Sequence, residues 1–246
     1  MRRLGLIAMA LALGGAAPFD PFSVARIDPR PGAQVPLDTV FTDQAGRRTT
    51  LRRIAAGKPM LIAPVLHNCP NLCGVTLAGL ARGVAGQPFR PGRDMEVIAL
   101  GIDPAETPRD AVADQARHRM NQAAFLTGTR PAIAQVTGAL GFRFAFDPRI
   151  GQYAHVSAIA VLTPRGRLVR WLDGIEPDPA DLARAIADAR EQRTNHFAEA
   201  IAFLCYHYDP RTGRYSLAIS RIVQAASILS ILLLAFTILR LRRRPA

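Results

Sequence analysis

Three cysteines stand in this 246-residue chain, Cys69, Cys73 and Cys205, and the spacing of the first two is the strongest chemical signal in it. Cys69 and Cys73 follow a short apolar run and open a stretch with apolar residues at roughly helical spacing. Positions i and i+4 of a helix lie on one face, one turn apart. Pro70 suits a first turn, where its missing N–H costs nothing. A thiol at a helix N-terminus has its thiolate favoured by the helix dipole. Two such thiolates make a soft site suited to Cu(I). The same spacing puts the Cα atoms about 6 Å apart, within reach of a disulfide. A metal site and a reversible disulfide are both open at this point.

A second group lies far along the chain, in Cys205-Tyr206-His207-Tyr208-Asp209-Pro210. Cys205 and His207, two apart, could both reach one soft metal from an extended segment. The competing reading is an aromatic packing segment above a bilayer, with Tyr206, Tyr208 and Tyr215 at the interface.

The elements that must position these residues read as alternating strands and helices. Pro59 to Leu66 and Met95 to Ile102 are short apolar runs suited to buried strands. Ala124 to Gly128 and Phe142 to Phe146 are strand candidates flanking a helix from about Pro131 to Leu140. Thr107-Pro108-Arg109-Asp110 predicts a capped helix start, with proline in the first turn. Val156 to Leu162 and Leu168 to Leu172 predict a hairpin across Pro164-Arg165-Gly166. Asp178-Pro179 predicts a last amphipathic helix through about Gln192. Strands and helices in this order make an α/β domain with a mixed central sheet.

The formal charge of +12 suggests nucleic acid at first, but its distribution excludes that partner. Arg2, Arg3, Arg240, Arg242, Arg243 and Arg244 sit at the two ends and leave about +6 over the middle, with no basic run. The ends point to a membrane instead. Residues 1–17 carry a positive start, an apolar stretch and then small residues, the pattern of a signal peptide. Residues 222–239 carry no charge and as a helix would reach roughly 27 Å, close to the hydrocarbon thickness. A transmembrane helix over 217–240 is expected. The arginines after it, in a tail of residues 241–246, put the C-terminus in the cytoplasm and the body in the periplasm or an equivalent extracytoplasmic space.

The CPNLC segment after its strand resembles the Sco/SenC family, a thioredoxin-like group whose C-x-x-x-C motif binds copper. Gly101-Ile-Asp-Pro-Ala-Glu-Thr-Pro is similar to the family's S-x-D-P-x-x-D-T-P segment. Tyr153-Ala-His155-Val-Ser, followed by a strand, Thr163-Pro-Arg-Gly and a second strand, continues the match in the family's order. Some Sco-like proteins with a C-terminal membrane helix also carry a segment similar to Cys205-Tyr-His207. The resemblance implies a thioredoxin-like domain over 35–192, a juxtamembrane linker over 193–216 and His155 as the third copper ligand beside Cys69 and Cys73. It also implies Asp103 as a residue that tunes the site from behind, unless it only turns the chain before Pro104. Two thiolates and an imidazole can close a trigonal Cu(I) site, or hold Cu(II) with an added ligand.

The implied function is a copper chaperone serving a respiratory oxidase, in cytochrome c oxidase assembly, with the oxidase copper subunit or another copper chaperone as partner. The alternative is a membrane-anchored thiol–disulfide oxidoreductase that reduces the cysteines of such a site. Thioredoxin-like oxidoreductases use C-x-x-C and place a proline where His155 falls, which favours the metal reading. Departures from the family are Leu66-His67-Asn68 before the first cysteine, Asn71 between the cysteines, and Gly74 after the second. His67 is expected to be a surface histidine beside the site, with an extra ligand as the alternative.

Overall fold

Apolar runs bounded by turn-forming residues set the central strands, and Thr50, Thr107, Thr129 and Asp178 are side chains that cap the helices after them. The computed structural model describes residues 24–28, 30, 32–68, 73–194, 208–209, 214–215, 224 and 227–234. In chain order the elements are β1 (Arg26–Ile27), β2 (Val40–Asp43), β3 (Arg48–Thr50), α1 (Leu51–Ala55), β4 (Met60–Val65), α2 (Cys73–Ala85), β5 (Glu96–Gly101) and α3 (Pro108–His118). There follow β6 (Ala124–Thr127), α4 (Arg130–Leu140), β7 (Phe142–Arg143), β8 (Ala145–Asp147), β9 (Gln152–Ala154), β10 (Ala158–Leu162), β11 (Leu168–Asp173) and α5 (Pro179–Arg190). Two short strands, β12 (Tyr208–Asp209) and β13 (Arg214–Tyr215), pair with each other in the expected linker.

Seven strands form one sheet in the order β11-β10-β4-β5-β6-β2-β3. β4, β5 and β6 run parallel, and the outer pairs are antiparallel. The sheet is therefore mixed, as expected. β4 is buried along its whole length, as a central parallel strand covered on both faces must be. On one face α1 and α4 pack through Leu51, Ile133, Val136 and Leu140. On the other, α2, α3 and α5 pack through Leu77, Leu80, Ala111, Leu182 and Ile186.

The expected helix starts hold. Asp110 Oδ2 accepts from both the N–H and the hydroxyl of Thr107 at 2.7 Å, with Pro108 in the first turn of α3. Asp178 Oδ1 accepts from the N–H groups of Ala180 and Asp181 at the start of α5. The β10–β11 hairpin turns at Gly166, whose φ of 79° suits a residue without a Cβ. Gly79 lets α2 lie directly on the loop after β11: a Cβ there would come 2.1 Å from the Ile175 carbonyl oxygen.

Two expectations change. Phe142 to Phe146 is not one strand: it divides into β7, paired with β1, and β8, paired with β9, both outside the main sheet. The β2–β3 hairpin and α1, which the sequence patterns did not announce, complete the far edge of the sheet. Among the described residues no helix is long and apolar enough to cross a membrane. Residues 227–234 of the expected span are helical and exposed, while the rest of that span, apart from residue 224, and the leader over 1–17 lie outside the described residues.

Candidate metal centre

The sheet order brings the two halves of the expected site to one end of adjacent strands. β4 ends at Val65 and runs on through Leu66, His67 and Asn68 toward Cys69. β10 lies beside β4 and antiparallel to it, with Ala160 opposite Ile62 and Leu162 opposite Met60. The start of β10 therefore sits next to the end of β4, and His155 precedes that start by three residues. α2 begins at Cys73. One turn further, Thr76 Oγ1 is 2.5 Å from Ser157 Oγ, which donates to the Gly174 carbonyl at 3.1 Å and so accepts from Thr76. That bond ties the cysteine helix to the histidine loop directly. Cys69, Cys205 and His207 lie outside the described residues, as does the side chain of Cys73.

His155 is held as a neutral ligand would be. Its ring lies 6.2 Å from that of Phe142, which stacks on Trp171 at 5.8 Å. Burial lowers its pKa, against the pull of the Val156 carbonyl. Nδ1 lies 2.9 Å from that carbonyl oxygen, so Nδ1 carries the hydrogen and Nε2 the lone pair. A metal ligand whose other nitrogen donates to a backbone carbonyl is oriented in this way.

Asp103 does what a turn residue does: its Oδ1 accepts from the Ala105 N–H at 2.8 Å. It also lines a cavity of about 320 Å³ together with Asn68, Glu106, Asp110 and Gln152. Glu106, which the sequence reading passed over, makes the closer connection to the cysteine segment. Its Oε1 accepts from the Asn68 N–H at 3.0 Å, one residue before Cys69. Its Oε2 is buried, with no hydrogen-bond partner of good geometry among the described residues. Burial, helped by Asp103, pushes its pKa up to about 7, against the pull of His67 and the Asn68 N–H. Gly101 makes room for it, because a Cβ at 101 would come 2.7 Å from Glu106 Oε2. Gly101 and Glu106, both in the segment similar to the family's, thus share one space.

The expectation for His67 is corrected. The residue is fully buried, 0% exposed, and not on the surface. Nε2 lies 3.0 Å from the Leu126 carbonyl oxygen and must donate to it. Nδ1 lies 3.1 Å from Asp114 Oδ2. Both nitrogens are engaged inward, so His67 is not an extra ligand. Burial acts against its charge, yet Asp114, Glu106 and the Leu126 carbonyl outweigh it and raise its pKa. Among the described residues no group of three or more His, Cys, Asp or Glu could hold a metal by itself.

The family model SCO1/SenC matches residues 28–191. No curated protein matches the sequence. Among solved structures, a protein from Aquifex aeolicus VF5 is 22% identical with a TM-score of 0.62, covering 68% of this chain and 98% of its own. ScoI of Arabidopsis thaliana, with copper bound, is 17% identical with a TM-score of 0.54, covering 66% and 99%. ScoI of Bradyrhizobium japonicum, with copper bound, is 22% identical with a TM-score of 0.51, covering 66% and 99%. At these identities the structures share the α/β thioredoxin-like fold.

Proposed function

The chain belongs to the SCO1/SenC family, and from that premise we propose that it carries copper on Cys69, Cys73 and His155 and delivers it to a respiratory oxidase copper site. The observation that carries the reading is the Thr76–Ser157 hydrogen bond, which joins the turn after Cys73 to the loop of His155. The donor set fits copper: two thiolates are soft ligands, and the neutral His155 imidazole has its lone pair on Nε2. Two solved structures of the same fold hold copper. Copper supplies no bond-making step here. It is the cargo, passed by ligand exchange to a partner's cysteines or histidines. The chain's own residues orient the imidazole and pin Asn68, one residue before Cys69.

We propose further that residues 217–240 anchor the chain in the cytoplasmic membrane with the folded part outside, after export directed by residues 1–17. Cys205 and His207 would then form a second copper-holding pair near the bilayer. A second reading, reduction of a disulfide in the recipient site, is favoured by one observation: α2 opens at Cys73, where the helix dipole favours a thiolate.

The test is to load the reduced full chain, in detergent, with Cu(I), count the copper, and offer the loaded chain to a copper-free oxidase copper subunit. Delivery predicts one copper lost with Cys69→Ala, Cys73→Ala or His155→Ala and transferred to the subunit. A second copper lost with Cys205→Ala supports the second pair. A reduced chain that takes up no copper but reduces an oxidised subunit rejects delivery and leaves the oxidoreductase.

A further inference from the structure

Between the end of β4 and the start of α2, three side chains converge on one carboxylate. Asp114, on α3, is 1% exposed. Its Oδ2 is 3.1 Å from His67 Nδ1, and its Oδ1 is 2.8 Å from Arg117 Nη1 and 3.3 Å from His118 Nε2. His67 stands two residues before Cys69, and its other nitrogen is fixed on the Leu126 carbonyl. His118, with its side chain 9% exposed, packs against the residue after Cys73: a Cβ on Gly74 would come 3.3 Å from its ring. Its Nε2 lies close to Asp114 without the alignment of a hydrogen bond. One carboxylate therefore holds the chain before C-x-x-x-C through His67 and stands beside the histidine that packs on the chain after it. The lead-in to the same helix adds a third hold, from Glu106 to the Asn68 N–H.

Stability alone is a poor reason for such a cluster. Taking charges out of water costs several kcal/mol per ion, and well-packed apolar side chains of similar volume are often no less stable. What ions and hydrogen bonds fix better than apolar contacts is direction. His67, bonded at both ring nitrogens, cannot turn without breaking one bond.

We infer that Asp114 is a positioning residue for the Cys69–Cys73 pair: it holds His67 on one flank and stands beside His118, which packs on Gly74, on the other, and so tunes how the pair takes a metal or closes a disulfide. This rests on the reading of that pair as the functional site. Nothing in it requires Asp114 to touch copper.

The experiment uses the full chain in detergent, with Asp114→Asn, His118→Ala and Arg117→Gln beside the wild type. Two quantities are read. One is Cu(I) affinity, by competition with bathocuproine disulfonate. The other is the midpoint potential of the Cys69–Cys73 couple in glutathione buffers, read on the peptide that carries both cysteines. Outer residues that orient ligands typically change metal affinity 10–100-fold, so Asp114→Asn should weaken Cu(I) binding about 10-fold. It should move the potential by about 30 mV, the equivalent of a tenfold change in the equilibrium. His118→Ala should move both in part. Arg117→Gln, removing a half-exposed partner, should leave both within about twofold. A folded Asp114→Asn chain with wild-type affinity and potential overturns the inference. Where Asp114→Asn fails to fold, His118→Ala decides in the same way, and wild-type values there overturn it. A wild type that binds no copper sinks the delivery reading alone, because the potential still tests Asp114.

Discussion

Replacing Glu106 with glutamine should make the protein more stable above neutral pH and flatten its pH dependence below it. The native carboxyl titrates near 7, whereas an exposed glutamate titrates at 4.5, and burial is the main cause. Between those values the unfolded chain has released its proton while the folded chain still holds it. Native stability therefore falls as pH rises through the window. A shift from 4.5 to about 7 corresponds to about 3 kcal/mol at 1.36 kcal/mol per unit. His67, whose pKa is also raised, gives stability that is present below about 6.5 and lost as pH rises through its folded value. Part of that contribution comes from Glu106 itself, so the difference between the two proteins reports Glu106 together with its coupling to His67. The glutamine side chain of Glu106→Gln keeps an acceptor for the Asn68 N–H and cannot ionise. The assay is urea denaturation of both proteins at pH 5 and pH 8, followed by the fluorescence of Trp171, the single tryptophan, which is 8% exposed. At pH 5 the two should lie close together, and at pH 8 the Glu106→Gln variant should be more stable by up to about 3 kcal/mol. A variant less stable at pH 8 than the wild type would refute the reasoning. It would mean that the ionised carboxylate, paired with His67 and Asn68, holds the fold together.

Gly79→Ala should destabilise the fold by about 1–3 kcal/mol or more, because its Cβ would meet the Ile175 carbonyl at 2.1 Å and the Glu176 Cα at 2.9 Å, both backbone. The denaturation midpoint checks this, and Cu(I) affinity should fall with it, since α2 carries Cys73. Copper affinity should also decline at acid pH, because thiolates must lose their protons to bind. Competition titrations at pH 5.5 and 7.5 read that slope, and a flat profile would count against thiolate ligands.

Where local chemistry decides the structure, the sequence was readable. Thr107-Pro108 and Asp178-Pro179 cap helices by rules that reach only three residues. The Pro164-Arg165-Gly166 turn and the apolar runs of β4 and β5 needed no distant partner to be recognised. The β2–β3 hairpin was hidden because its strands are short and largely polar, VFTD and RTT. Phe142 to Phe146 looked like one strand, because pairing with β1 and β9 is set by segments far away. His67 misled for a similar reason. A polar residue after an apolar run reads as the first exposed position, yet its partners, Asp114 and Leu126, lie 47 and 59 residues further on. A faint signal did exist, since Asp114 and His118 stand four apart on one helix face. The position of His155 came from the family resemblance and the cysteine spacing from chemistry. Glu106 gave no local signal, because its burial depends on Gly101 and on the Asn68 N–H, 38 residues earlier.

The measurement that bears most directly on the central claim is X-ray absorption of the chain loaded with one Cu(I), alone and as His155→Ala. The account predicts two sulfur ligands and one imidazole nitrogen per copper, with the nitrogen lost in the variant and both sulfurs kept. Copper bound without sulfur, or a spectrum unchanged by His155→Ala, would contradict it.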